Sequence, residues 1–143
     1  MFRSSVRLAW IVILVVAGCS SEWDTVIEIG RVAYDQGAPQ VSVPEYANVG
    51  ASFTVDVTTQ GGGCVTADST DITATDDVAD VTPYDRRMIP GEGEACTLNL
   101  VLLHHTVPVS FATPGVKTIR FHVQLPQAQG YVPGVLPMQV TVQ

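Results

Sequence analysis

The sequence predicts an all-β chain: one antiparallel β-sandwich of about seven to eight strands. Three observations lead there. Apolar and polar residues alternate with period two in segment after segment, and no stretch repeats apolar residues at i, i+3, i+4 and i+7 over a helical length. Val and Thr recur throughout, and β-branched side chains suit a pleated surface. Twelve glycines and nine prolines punctuate the apolar runs. With 143 residues, 46% hydrophobic and only 15% charged, the chain can bury one core and does not have a disordered composition. Its formal net charge of −7 argues against nucleic acid as a partner, because phosphates call for a basic surface.

Taken in order, Gln40–Val43 precedes a proline and suits an edge or entry strand. Ala51–Thr59 sets Phe53, Val55 and Val57 on one face and Thr54, Asp56 and Thr58 on the other. Gly61-Gly62-Gly63 marks a turn before Cys64. Val65–Thr75 reads as a polar, Thr-rich strand, and Val78–Tyr84 as a short one stopped near Pro83. Arg86–Glu94, with Pro90, Gly91 and Gly93, reads as loop. Cys96–His105 is the most hydrophobic segment. Leu98, Leu100 and Leu102 lie on one side and Val101 and Leu103 on the other, so both sides are expected to be buried. After a turn at His105-Thr106, Val107, Val109 and Phe111 continue the alternation. Thr113-Pro114-Gly115 is a tight turn, because Pro pre-sets φ and Gly admits positive values. Lys117–Gln124 alternates Ile119, Phe121 and Val123 against Arg120, His122 and Gln124. Leu125–Pro137 reads as a long surface loop, and Met138–Gln143 closes the chain with Met138, Val140 and Val142 inward.

Val41–Pro44, Gly50–Val57 and Phe111–Gly115 leading into Ile119–Val123 carry a resemblance to the immunoglobulin-like domains of bacterial surface and periplasmic proteins. It implies the sandwich architecture for residues 26–143 and no particular activity. The antibody-type landmark is absent, since no Trp lies between Cys64 and Cys96.

Residues 1–18 form a different unit. Arg3 and Arg7 precede an unbroken apolar run from Leu8 to Ala17. That run is too short for a hydrocarbon core of ~30 Å and has the shape of a signal peptide. Val16-Ala17-Gly18-Cys19 resembles the bacterial lipobox, an aliphatic residue and two small ones before a cysteine. The resemblance implies cleavage before Cys19, a diacylglyceryl group on its sulfur and a lipid-anchored cell-envelope lipoprotein. Several acyl chains anchor stably where one binds only marginally. Ser20 stands where an Asp would favour retention in an inner membrane, so in a two-membrane host the resemblance favours the outer membrane. Residues 19–25 then form the lipidated N-terminus and tether. Losing Arg3 and Arg7 takes the formal charge to −9.

Assigning Cys19 to lipid leaves Cys64 and Cys96. In an oxidising compartment such a pair normally closes, and the chain-entropy account gives roughly 3–4 kcal/mol for a loop of this length. The alternatives are two free thiols or a redox pair. Redox pairs usually have Cys-x-x-Cys spacing, which is absent, so a structural disulfide is expected.

Candidate chemistry is sparse. His104 and His105 are adjacent on a strand and point to opposite faces, so they cannot share a metal without a bulge. Pairing one of them with His122 across strands would give a copper- or zinc-like site. Asp68, Asp71, Asp76, Asp77, Asp80, Asp85, Glu92 and Glu94 crowd into residues 68–94. Hard cations take such oxygen ligands, but the spacing is not that of an EF-hand, and a solvated acidic face is the expectation. No Gly-x-Ser-x-Gly elbow, His-Glu-x-x-His, P-loop or dinucleotide fingerprint occurs. The expected role is therefore a non-catalytic binding or scaffold module without cofactor, held at the membrane by its anchor and recognising a protein partner in the envelope. A metal-binding envelope protein, using His104, His105, His122 or the acidic segment, is the alternative.

Overall fold

Strand alternation decides which side chains each element turns inward, and in the computed structural model, which describes residues 23–143, two sheets bury those side chains against each other. The signal segment, Cys19 and the tether up to residue 22 lie outside the described residues. In chain order the strands are β1 (Asp24–Ile29), β2 (Tyr34–Asp35), β3 (Ala38–Pro39), β4 (Val41–Ser42), β5 (Tyr46–Ala47), β6 (Phe53–Gly61), β7 (Val65–Ala74), β8 (Val78–Ile89), β9 (Val101–Val109), β10 (Gly115–Gln127) and β11 (Gly130–Val142). The all-β class holds: the described residues contain no helix.

The smaller sheet has the order β4-β6-β9. In the larger sheet, β8 carries β7 along one edge. Its other edge is shared end to end, with β10 beside 78–81 and β1 beside 84–89. Beyond β10 come β11 and then the short β5. Between the sheets, Val55, Val57, Val107 and Val109 meet Ala79, Val81, Ile119, Phe121, Val123, Val140 and Val142. Burial of each large member of this set contributes about 1.5–3 kcal/mol.

Pairing is not uniformly antiparallel. β10 runs parallel to β8, and β11 runs parallel to β5. The chain leaves β8 for the smaller sheet, forms β9 there and returns as β10 in the direction of β8, so this neighbour pair has to be parallel.

Three expected breaks in strands are absent. β8 passes Pro83 and continues to Ile89, through residues 86–89 of the expected loop. The Pro83 carbonyl accepts from the Gly30 N–H at 2.9 Å. The missing N–H therefore faces the seam between β10 and β1, where no ladder bond is lost. Residues 125–137, expected as loop, instead form the distal halves of β10 and β11, joined by a two-residue turn between Gln127 and Gly130. Pro133 and Pro137 share the phase of Thr141, whose N–H points away from β10 to the Glu45 carbonyl. Their missing donors thus fall on the open edge of β11. At His105-Thr106 there is no turn, and β9 is continuous from Val101 to Val109.

One expected strand is cut short. Cys96–Leu100 has no strand assignment, and Leu98 and Leu100 are exposed rather than buried. β9 starts opposite Gly61, the last residue of β6; beyond that point the chain turns away at Gly62–Cys64 and offers no ladder partner. The expected Cys64–Cys96 disulfide is present and ties this segment to the β6–β7 turn.

β1 and the β2–β3 hairpin have no counterpart among the expected strands. In the hairpin, Gln36 and Gly37 both have positive φ (49° and 84°), as a primed two-residue turn requires. After β1 the chain crosses from the larger to the smaller sheet: Arg31 bridges to Gln124 and Val32 to Thr59. Gly30 is the crossing point. A Cβ there would press into Thr59 Cγ2 and lie 2.8 Å from Asp85 Oδ2.

Two outcomes follow from this packing. Gly30→Ala should lose about 1–3 kcal/mol by overpacking, read as a lower urea midpoint at unchanged slope. Replacing both Cys64 and Cys96 by Ser should lose roughly 3–4 kcal/mol in the same measurement, provided the wild type is kept oxidised.

Candidate functional site

Two polar clusters stand out, one between the sheets and one on the outer face of the larger sheet. The inner cluster follows from strand phase. His105 alternates with Leu103, Val107 and Val109 on β9, and Asp85 with Ala79, Val81 and Pro83 on β8, so both point inward. Asp85 is 2% exposed, His105 4% and Thr59 0%. His105 Nε2 lies 2.9 Å from Asp85 Oδ1, and its Nδ1 lies 2.9 Å from Thr70 Oγ1 on β7. Thr59 on β6 donates to Asp85 Oδ1 at 3.0 Å. With Nε2 protonated, the imidazole donates to Asp85 and accepts from the Thr70 hydroxyl, and every polar atom is satisfied. Among the described residues no buried side-chain polar atom lacks a partner.

A hydroxyl, an imidazole and a carboxylate in line have the composition of an acyl-transfer relay. Here they sit between two packed sheets, with the Asp85–His105 pair sealed from solvent, and the groove described next is lined by other residues. The arrangement cross-links strands β6, β7, β8 and β9; with Asp85, His105 and Thr59 buried, Thr70 half-buried and every partner met, it fixes how the sheets meet.

The outer cluster lies on β8 and β10. Arg120 grips Asp80 with two hydrogen bonds, Nε to Oδ1 at 2.8 Å and an Nη to Oδ2 at 2.7 Å. His122 Nε2 lies 2.6 Å from Asp80 Oδ1. The parallel register sets Arg120 opposite Asp80, while β-alternation sends all three to the solvent side. The Arg120 hydrogen bonds, and then that of His122, hold the Asp80 carboxyl below its ordinary range; Asp80 in turn raises the Arg120 guanidinium. These groups line an open groove of about 440 Å³ with Ile29, Asp71, Thr73, Thr82 and Tyr84. A second groove of about 410 Å³ adjoins it at Ile29, lined by Glu28, Arg31, Gln124, Gly130 and Tyr131. Arg31 stacks over the Tyr131 ring at 5.1 Å.

The expected site residues are thereby separated. His104 and His105 do face opposite ways: His104 Nδ1 lies 3.2 Å from Thr58 Oγ1, away from His105. His122 belongs to the other sheet. Among the described residues no group of three or more His, Cys, Asp or Glu side chains is placed to hold a metal. The acidic segment is not one solvated face. Asp85 goes inward to His105, Asp80 outward to Arg120 and His122, Asp68 pairs with Arg86, and Asp77 holds the buried ammonium of Lys117 at 2.6 Å. Asp80 and Asp85 differ in phase by an odd number of residues, so one strand places them on opposite sides. Asp80–Arg120 and Asp85–His105 were both missed as pairs. Strand phase shows which way each residue points but not which strand lies beside it.

Compared with known protein families, curated proteins and solved structures, the chain shows no match.

Asp85→Ala, which strands His105 and Thr59 without their acceptor, should cost about 3–5 kcal/mol, whereas His104→Ala should stay within roughly 0.5 kcal/mol, both by urea titration. The folded-state depression of Asp80 gives a pH signature. Its stabilisation is present above the unfolded carboxyl value of about 3.9 and is lost as pH falls through the lower folded value. The Tm difference between wild type and Asp80→Asn should therefore be constant near neutrality and shrink towards zero in acid.

Proposed function

We propose that this chain is a lipid-anchored lipoprotein of the bacterial cell envelope. Its immunoglobulin-like β-sandwich is a non-catalytic module that binds a protein partner through the outer face of the larger sheet. The observation that carries the reading is the Asp80–Arg120–His122 cluster. It consists of charged and polar side chains pre-ordered on rigid strands, lining an open groove beside the apolar Ile29 and the aromatic Tyr84. An open face of this kind, polar with scattered aromatics and an Arg, suits recognition of another protein. The Thr70–His105–Asp85 line joins the sheets, which supports a structural rather than a catalytic use for it. The anchor rests on the register of Arg3, Arg7, the apolar run and Cys19.

Two measurements test this. The intact mass of protein extracted from membranes should correspond to a chain beginning at Cys19 with acyl groups added, gaining two hydrogens on reduction of Cys64–Cys96. A photo-cross-linking residue at Thr82, in the groove, should trap a discrete protein adduct in intact cells that the same residue at Val49 does not, and Arg120→Ala should abolish it. An unmodified Cys19, or equal cross-linking at both positions, would refute the anchor or the binding face respectively.

A further inference from the structure

The larger sheet's β1 starts at one end of the domain, and several otherwise unrelated features share that end. Asp24 pairs with Ile89, the last residue of β8. The Met88 N–H donates to the Cys64 carbonyl, and Cys64 is bonded to Cys96. The Gly63 N–H donates to the Thr97 carbonyl, and Val101 pairs with Gly61. Trp23, Ile89, the 90–100 segment and the β6–β7 turn therefore lie together. The opposite end holds Val49, whose N–H donates to the carbonyl of Gln143, and the Thr113-Pro114-Gly115 turn.

This end exposes apolar side chains that the core has no use for. Leu98 is fully exposed and Leu100 is 68% exposed, in a segment without strand partners; Trp23 and Ile89 are also exposed. The Cys64–Cys96 disulfide and the Gly63 N–H to Thr97 carbonyl bond tether the chain just before Leu98, and Leu98 and Leu100 beyond it face solvent. Placing such residues against hydrocarbon returns about 25 cal/mol per Å².

The preceding chain says what covers them. The apolar run ends at Ala17 and Cys19 follows, five residues before Asp24. Five residues span at most about 18 Å. With Cys19 at the lipid surface, β1 enters the domain within that reach of the bilayer, on the end that carries Trp23, Leu98 and Leu100; with Ala17 there instead, the seven residues to Asp24 span at most about 25 Å.

We infer that this end of the domain docks on the membrane surface, with Leu98 and Leu100 inserting among the lipid headgroups and acyl chains and Trp23 at the interface. The inference rests on the envelope-anchor reading of Cys19. Tryptophan suits that depth, having an apolar body and a polar N–H. At the same end Arg86 and Arg87 are paired with Asp68 and Glu28, which leaves the exposed carboxylates Asp24, Glu92 and Glu94 to favour a zwitterionic surface over an anionic one. Docking here sets the long axis of the strands upright and leaves the Asp80–Arg120–His122 groove on the side wall, open to a partner.

The full chain purified from membranes and reconstituted into phosphatidylcholine vesicles, with acyl chains brominated or not, provides the test. A variant carrying Trp10→Phe, Trp23→Phe and Leu98→Trp has one indole at position 98; a second, with Val49→Trp in place of the position-98 change, has it at the opposite end. Brominated chains should quench emission at position 98 several-fold more than at position 49. In a third variant, Trp10→Phe alone, the native Trp23 should be quenched too, and adding Leu98→Ser and Leu100→Ser should remove most of that quenching. Intact mass of the same samples reports whether Cys19 is acylated. Acylated protein with equal, weak quenching at 98 and 49 overturns the docking and leaves the anchor standing. Unacylated protein still quenched at 98 upholds the docking and overturns the anchor. Unacylated protein without quenching overturns both.

Discussion

The two sheets are joined beside their apolar core by a hydrogen-bonded cluster with a buried Asp85–His105 pair, and the crossing of the chain between the sheets is arranged around it. Asp85 and His105 come from different sheets and meet at 2.9 Å with almost no solvent contact. Burying such a pair is costly unless every remaining donor and acceptor is met. Thr59 and Thr70 supply those partners from two further strands. The requirement reaches outward: Gly30 must be glycine because the crossing chain passes against Thr59 and Asp85. An apolar core of Val and Ile tolerates sliding between the sheets; this cluster does not, because a shift breaks several bonds at once.

Division of labour among the polar residues follows. Residues that a motif search would mark for chemistry are consumed in structure, including His105, Asp85, Thr59 and the lone lysine, Lys117, which is clamped by Asp77 and Thr113. What remains on the outside is ordered but open: Asp80, Arg120 and His122 on the larger sheet, and the apolar tip with Leu98 and Leu100 beside the start of β1. The proposed partner-binding wall and the proposed membrane-facing end are compatible on one small domain, since the strands separate them.

Much of this was legible from strand phase. The inward faces of β6, β10 and the end of β11 follow from Val55, Phe121 and Val140 with their period-two neighbours, and the Cys64–Cys96 bridge from removing Cys19 from the count. Proline misled in two places for the same reason. Pro83, Pro133 and Pro137 looked like strand terminators, but each points its missing donor to a seam or an open edge, and only the sheet order reveals that. Leu98 and Leu100 misled in the opposite sense, because hydrophobicity marks a residue as able to be buried and does not supply a partner strand. The pairing of Asp85 with His105 was beyond reach. Both were in phase with buried neighbours, yet their meeting depends on how one sheet is set against the other.

The most direct test of the account is proton exchange at the histidine imidazoles, followed by nuclear magnetic resonance on nitrogen-15-labelled protein. One imidazole N–H should exchange far more slowly than the other two. Its signal should vanish in His105→Gln and lose its protection in Asp85→Asn. Equal, rapid exchange at His104, His105 and His122 would contradict the sealed cluster, and with it the claim that His105 belongs to the structure rather than to a working site.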